Sequence, residues 1–193
     1  MIKNQITEYI KKSLDLKQKL LLDESLLLAV EDLAIKCLNS LRKGGKIIFA
    51  GNGGSFGDSQ HISAEFTSRF LFDRAPLASI ALGTNSSAIT AIGNDYGFDQ
   101  VFSRELMAIG KIEDIFIPIT TSGNSENIIS AINTSNSLNI ETVCLTGNHG
   151  GKIKNICDCI IVPCTATERI QECHILIGHI ICAIVEHEYF KSS

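Results

Sequence analysis

The stretch KIIFAGNGGSFGDSQHISAEFTSR, from Lys46 to Arg69, limits what this chain can fold into more than any other. Ile47, Ile48, Phe49 and Ala50 form a short unbroken apolar run, the pattern of a strand buried on both faces. Gly51, Asn52, Gly53, Gly54 and Ser55 follow. Three glycines in four positions let backbone N–H groups approach an anion where a helix start offers unpaired donors of its own. The helix opened by this turn carries His61 and Glu65, four residues apart and so on one face. A general base, or a pair of metal ligands, would therefore face whatever the turn holds.

The rest of the chain repeats the strand-then-helix order. Apolar residues between Gln5 and Arg42 recur at three- and four-residue steps (Ile10, Leu14, Leu21, Leu28, Leu33, Cys37), which predicts two helices, with Asp23 capping the second. Lys43-Gly44-Gly45-Lys46 ends them. These helices suit either a subunit interface or packing on the sheet. Leu77 to Leu82 reads as a second strand, followed by a helix that Asn85 or Ser86 caps and Gly93 stops. Asn94 to Gly97 reads as a polar loop, and Phe98 to Ile109 as a further helix. Asp114 to Ile119, Glu141 to Thr146 and Cys159 to Pro163 are the remaining strands, with helices predicted at Glu126 to Ser137 and Glu168 to Phe190.

Thr120-Thr121-Ser122-Gly123-Asn124-Ser125 joins the third strand to its helix. Hydroxyl and amide residues are favoured as helix N-caps, but one cap needs only one of them. Six in succession point to a second anion cradle, built from hydroxyls and backbone N–H groups together. Short strands alternating with helices indicate a five-stranded, mainly parallel α/β sheet, doubly wound with helices on both faces and preceded by the N-terminal pair. In such sheets ligands collect at the carboxyl ends of the strands, where both turns lie.

At 193 residues, 45% hydrophobic and 20% charged, the chain fits one domain with a sizeable core. A net charge of -4 with no basic stripe argues against nucleic-acid binding. The polar, amphipathic N-terminus lacks the apolar segment of a signal peptide, and no long uncharged run suggests a membrane span, so a cytoplasmic location is expected. Seven cysteines without a CxxC pair fit neither a disulfide framework nor a zinc ribbon. Cys157 and Cys159, at strand spacing, share a face and read as small core hydrophobes, with metal binding the alternative.

Taken together, GNGGS, DSQHISAEF, AIGNDYGFDQVFSRE, TTSGNSENII and ERIQECHILIGHIICAIVE resemble the phosphoheptose isomerases of the sugar isomerase (SIS) domain family, from about residue 40 onward. The resemblance implies a single SIS domain spanning residues 1–193, with residues 1–43 contributing to a homotetramer. It further implies conversion of the sugar phosphate sedoheptulose 7-phosphate to D-glycero-D-manno-heptose 7-phosphate, a precursor of nucleotide-activated heptose for lipopolysaccharide or other surface glycans. Residue by residue, it assigns the phosphate to Thr120, Thr121, Ser122 and Ser125, and the substrate turn to Asn52, Gly53, Gly54 and Ser55. Asn94 and Asp95 would touch sugar hydroxyls, Glu65 would be the base, His179 the acid, and Gln171 a neighbour of both. Zinc is implied through His61, Glu65, Gln171 and His179. Thr120 departs from the serine expected there, and Phe56-Gly57 from small alanine-like residues.

Aldose–ketose isomerisation through a cis-enediol needs a base over the carbons and an acid near the oxygens. Glu65 taken alone reads as a surface glutamate, yet it shares a face with His61 just after the turn. Gln171 and His179 lie eight residues apart on one helix, about 12 Å along it and roughly 80° around. His174 could replace His179, which a lone histidine in an apolar helix leaves open; the resemblance favours His179. His149 and His187 read as surface residues. Two rivals stand beside the enzyme: a related SIS tetramer that binds a replication initiator and lacks the glutamate and second histidine, and a sugar-phosphate sensor.

Overall fold

The computed structural model describes residues 1–191. Helices α1 (Ile2–Leu22) and α2 (Glu24–Arg42) precede strand β1 (Ile47–Gly51), and α3 (Gly54–Thr67) follows the glycine turn. Then come β2 (Ser79–Ala81), α4 (Ser86–Tyr96), α5 (Val101–Ile109), β3 (Ile115–Thr120), α6 (Glu126–Ser137), β4 (Glu141–Gly147), β5 (Asp158–Val162) and α7 (Thr167–Phe190). The sheet is wholly parallel, in the order β2-β1-β3-β4-β5.

Period-two alternation divides the apolar strand residues between two cores. Ile47, Phe49, Ile117 and Leu145 face α1, α2, α3 and α7, while Ile48, Ala50, Phe116 and Cys144 face α5 and α6. Both faces are thus covered, as expected of parallel strands. The chain leaves β1 toward β2 on one side and reaches β3 on the other, so the switch point lies between β1 and β3. Gly51 pairs in register with Ile119, which sets the two ligand-prone turns side by side at the carboxyl edge.

Several boundaries differ from the sequence reading. Asp23 does cap α2, accepting from Leu26 N at 3.1 Å. The second strand shrinks to Ser79–Ala81 because it is an edge strand bonded only to β1, and two residues past its end Gly83, with φ of +86°, turns the chain. Helix α4 runs through Gly93 to Tyr96, so Asn94 and Asp95 occupy a helical end rather than a loop. Its Asn85 cap accepts from Ser87 N and Ala88 N, and the helix stops only where Gly97 takes φ +96°. Phe98–Gln100 forms a separate 3-10 turn before α5. The fifth strand starts one residue early, at Asp158.

All seven cysteines are unpaired thiols. Cys157 and Cys159 pack with Cys144 against the α5–α6 core. Helix α7 is long and apolar enough to cross a membrane by composition, but its buried side, including Ile170, Ile177, Ile181 and Val185, packs into the main core.

Candidate active site

The glycine turn and the hydroxyl loop form the two walls of one hollow of about 170 Å³, lined by Asn52, Ser55, Thr120, Thr121, Ser122, Ser125, Thr167 and Gln171. Gly53, with φ +55°, is the N-cap of α3 and adopts a backbone conformation that a side chain would strain. Ser125 holds the equivalent place on α6. Two helix starts therefore border the same space, although on α3 Ser55 N and Phe56 N already donate to the carbonyls of Asn52 and Gly53, at 3.0 and 3.1 Å. Thr120 Oγ1 lies 3.3 Å from Ser125 Oγ, and Ser122 Oγ accepts from Asn124 N.

A reciprocal amide pair ties the two walls together. Asn52 Nδ2 donates to Asn127 Oδ1 at 2.8 Å, and Asn127 Nδ2 donates back to Asn52 Oδ1 at 2.9 Å. Sequence reasoning missed Asn127 and Thr167, both hidden in ordinary first-turn positions of helices. Gly54 lies so close to Gln171 that an added Cβ would stand 2.3 Å from its amide nitrogen. The Gln171 side chain is thus held against the turn, on the hydroxyl-rich side. A second hollow, on the other flank of the turn, has Asn52, Gly53, Phe56 and Phe102 in its walls. The aromatic ring at Phe56 narrows the space that an alanine-like residue would leave open.

Further along the groove between α3 and α7, a second cluster gathers. His61 Nε2 lies 2.9 Å from His179 Nε2 and 3.3 Å from Glu65 Oε1, and all three groups lie within 4.8 Å of one another. The helices come this close because residue 178 is glycine; a Cβ there would meet Ile62 Cδ1 at 2.4 Å. The rings of His61 and His179 meet edge to face, and Phe70 stacks on His179 with centroids 5.4 Å apart and planes 23° apart. His61 is half exposed and Glu65 about a quarter exposed, so the cluster opens to solvent from this chain.

Two nitrogens and a carboxylate oxygen at this separation are a donor set suited to a zinc-like cation, with positions left for other ligands. Among the described residues no other group of three histidine, cysteine or acidic side chains converges in this way. Gln171, the fourth ligand that the resemblance implies, sits in the hydroxyl-lined hollow. Asn94 and Asp95 line neither hollow; Asn94 Nδ2 donates to Asp95 Oδ1 at the exposed end of α4. His174 is fully buried, bonded to the Thr146 carbonyl at 3.1 Å, and burial pushes its pKa down to about 4. It is a core residue and not the alternative to His179. His149 and His187 are exposed, as expected.

Known proteins share this architecture. The SIS domain family matches residues 8–147. A phosphoheptose isomerase from Aneurinibacillus thermoaerophilus is 52% identical over 97% of this chain and 95% of its own. One from Campylobacter jejuni is 48% identical over 96% and 94%. Among solved structures, a phosphoheptose isomerase from Francisella tularensis superposes with a TM-score of 0.92 at 35% identity, covering 97% of this chain and 99% of that one. The Neisseria gonorrhoeae phosphoheptose isomerase gives 0.90 at 38% identity, with 96% and 99% covered. By these matches the chain belongs to the SIS domain family and, within it, to the phosphoheptose isomerase enzymes.

Proposed function

We propose that the protein converts sedoheptulose 7-phosphate to D-glycero-D-manno-heptose 7-phosphate, with Glu65 as base and His179 as acid. The observation that carries this reading is the placement of a carboxylate–imidazole cluster and a hydroxyl-lined hollow on the same two helices, α3 and α7, about two to three turns apart. An extended open-chain heptulose phosphate sets its phosphorus roughly 8 Å from its carbonyl carbon, at about 1.2 Å of advance per bond. Gln171 and His179 are about 12 Å apart along α7, a span of the same order as that reach. The hollow grips the phosphoryl end, and the cluster meets the carbonyl end.

In the forward direction the Glu65 carboxylate takes a proton from C1 of the ketose, leaving a cis-enediol. The same carboxyl group returns a proton to C2, while His179 moves a proton between the two oxygens. No other reactant is required. Thr120, Thr121, Ser122 and Ser125 donate to the phosphoryl oxygens, joined by N–H groups of the α3 and α6 starts. Asn94 and Asp95, remote from the hollow of their own chain, fit a sugar-contacting role across a subunit boundary. Zinc, held by His61, Glu65 and His179, would polarise the carbonyl when bound, while Gln171 stays with the hydroxyl-lined hollow.

The reading includes a homotetramer. Helix α1 exposes Ile2, Ile6, Tyr9, Ile10 and Leu14, and α2 exposes Leu27 and Leu28, apolar area that suits subunit contacts. Seven unpaired thiols suit the reducing cytoplasm, where the product would feed nucleotide-activated heptose for surface glycans. The deciding experiment incubates the purified protein with sedoheptulose 7-phosphate and follows the aldose by NMR. Appearance of the aldose supports the enzyme; binding without conversion would replace it with the sensor or partner-binding reading.

A further inference from the structure

Glu186 lies on α7 seven residues beyond His179, two turns along the helix, and is fully buried. Its Oε1 accepts from Phe70 N at 2.9 Å and from Arg74 Nε at 2.8 Å; Oε2 accepts from Leu71 N at 2.7 Å. Burial pushes this carboxyl up, but the N–H groups of Leu71 and Phe70 and the Arg74 guanidinium outweigh it and hold the group below its usual range. The Arg74 side chain is almost as deeply enclosed. Its terminal nitrogens donate to the carbonyls of Glu65 at 2.8 Å, Phe66 at 2.6 Å and Ser68 at 2.9 Å, closing the last turn of α3.

One buried ion pair therefore reaches both partners of the proposed chemistry. Through Arg74 it fixes the backbone of Glu65. Through the Phe70 N–H it anchors the backbone of the residue whose ring stacks on the His179 imidazole, 5.4 Å between centroids and 23° between planes. A buried pair of this kind adds little net stability compared with apolar side chains of the same volume, so retention of fold alone does not account for it. We infer that Arg74 and Glu186 are positioning residues, and that Phe70 is the side chain through which they set the orientation of His179 opposite Glu65. The inference rests on the isomerase reading for its kinetic consequence, but its geometric content stands apart from it.

The test uses the full chain with Phe70→Leu, Phe70→Tyr and Glu186→Gln. Phe70→Leu keeps an apolar filler and removes the flat face. It is expected to lower kcat about tenfold on sedoheptulose 7-phosphate with KM changed less than about twofold, as misorientation rather than lost binding requires. The nitrogen-15 imidazole signals of His179 should shift or broaden in the same variant, and Phe70→Tyr should restore both kcat and the spectrum. Glu186→Gln should act in the same direction and more deeply; if it does not fold, the two Phe70 variants decide. Folded Phe70→Leu with wild-type kcat and an unchanged His179 spectrum would overturn the inference. Should the wild-type protein fail to convert the sugar phosphate, the isomerase reading falls, and the His179 spectra alone still decide whether the ion pair orients that ring.

Discussion

His61 Nε2 and His179 Nε2 stand 2.9 Å apart, each aimed at the other across the α3–α7 groove. Two facing lone pairs repel, so the contact requires either a proton on one ring or a cation between them. Zinc should therefore copurify at about one ion per chain, and chelation should lower the melting temperature. At free zinc about a hundredfold above Kd the stabilisation is about 3 kcal/mol, several degrees for a chain of this size. His61→Ala should abolish both the bound metal and the chelator effect. Metal-free protein with full activity and an unchanged melting curve in chelator would exclude the site.

Glu65→Gln keeps the side-chain shape and removes the proposed base. Turnover should fall by about 10²- to 10⁴-fold, the usual contribution of such a group. Sugar-phosphate binding, measured by calorimetry, should persist because the hydroxyl-lined hollow is untouched. Retained turnover would reassign the base.

Thr120 is buried with its hydroxyl 3.3 Å from that of Ser125, so the pair presents itself to one bound group. Thr120→Val or Ser125→Ala should each raise KM about tenfold, the scale of one hydrogen bond to a charged oxygen, with kcat largely kept. Their effects should not add, because the two hydroxyls share one contact. A change confined to kcat in steady-state kinetics would move the phosphate elsewhere.

His174 supplies a pH dependence of stability. Its pKa falls from 6.5 to about 4 because burial disfavours the imidazolium, so the unfolded chain takes up the proton first as pH drops. Stability from this group is complete above about pH 6.5 and is lost as pH falls toward about 4, by about 3 kcal/mol at most. Denaturant titrations of wild type and His174→Gln should diverge in slope across that window. Parallel pH curves would show that the burial of His174 is not what the acid limb reports.

The five strands, their parallel pairing and both anion-prone turns were legible because they depend on local signals: short apolar runs, glycines and caps. The adjacency of the turns was not, since it follows from strand order; no feature of Gly51 or Ile119 alone reveals that they pair. For the same reason nothing in the sequence singles out Asn127, whose role exists only where α6 begins beside the β1 turn. Gly93 suggests a stop that the helix does not make, since one glycine costs a helix only about 1 kcal/mol and a well-made cap at Asn85 offsets it. Glu186 and Arg74 are 112 residues apart, and nothing in either neighbourhood signals a buried partner. His179 could be preferred over His174 only by resemblance, whereas the structure separates them by burial.

The Asn52–Asn127 clasp consists of two neutral amides, and neutral amides neither gain nor lose protons under any condition in which a protein stays folded. The frame of the hollow therefore keeps one shape across every pH at which the chain stays folded, its two walls clasped by groups that carry no charge to lose.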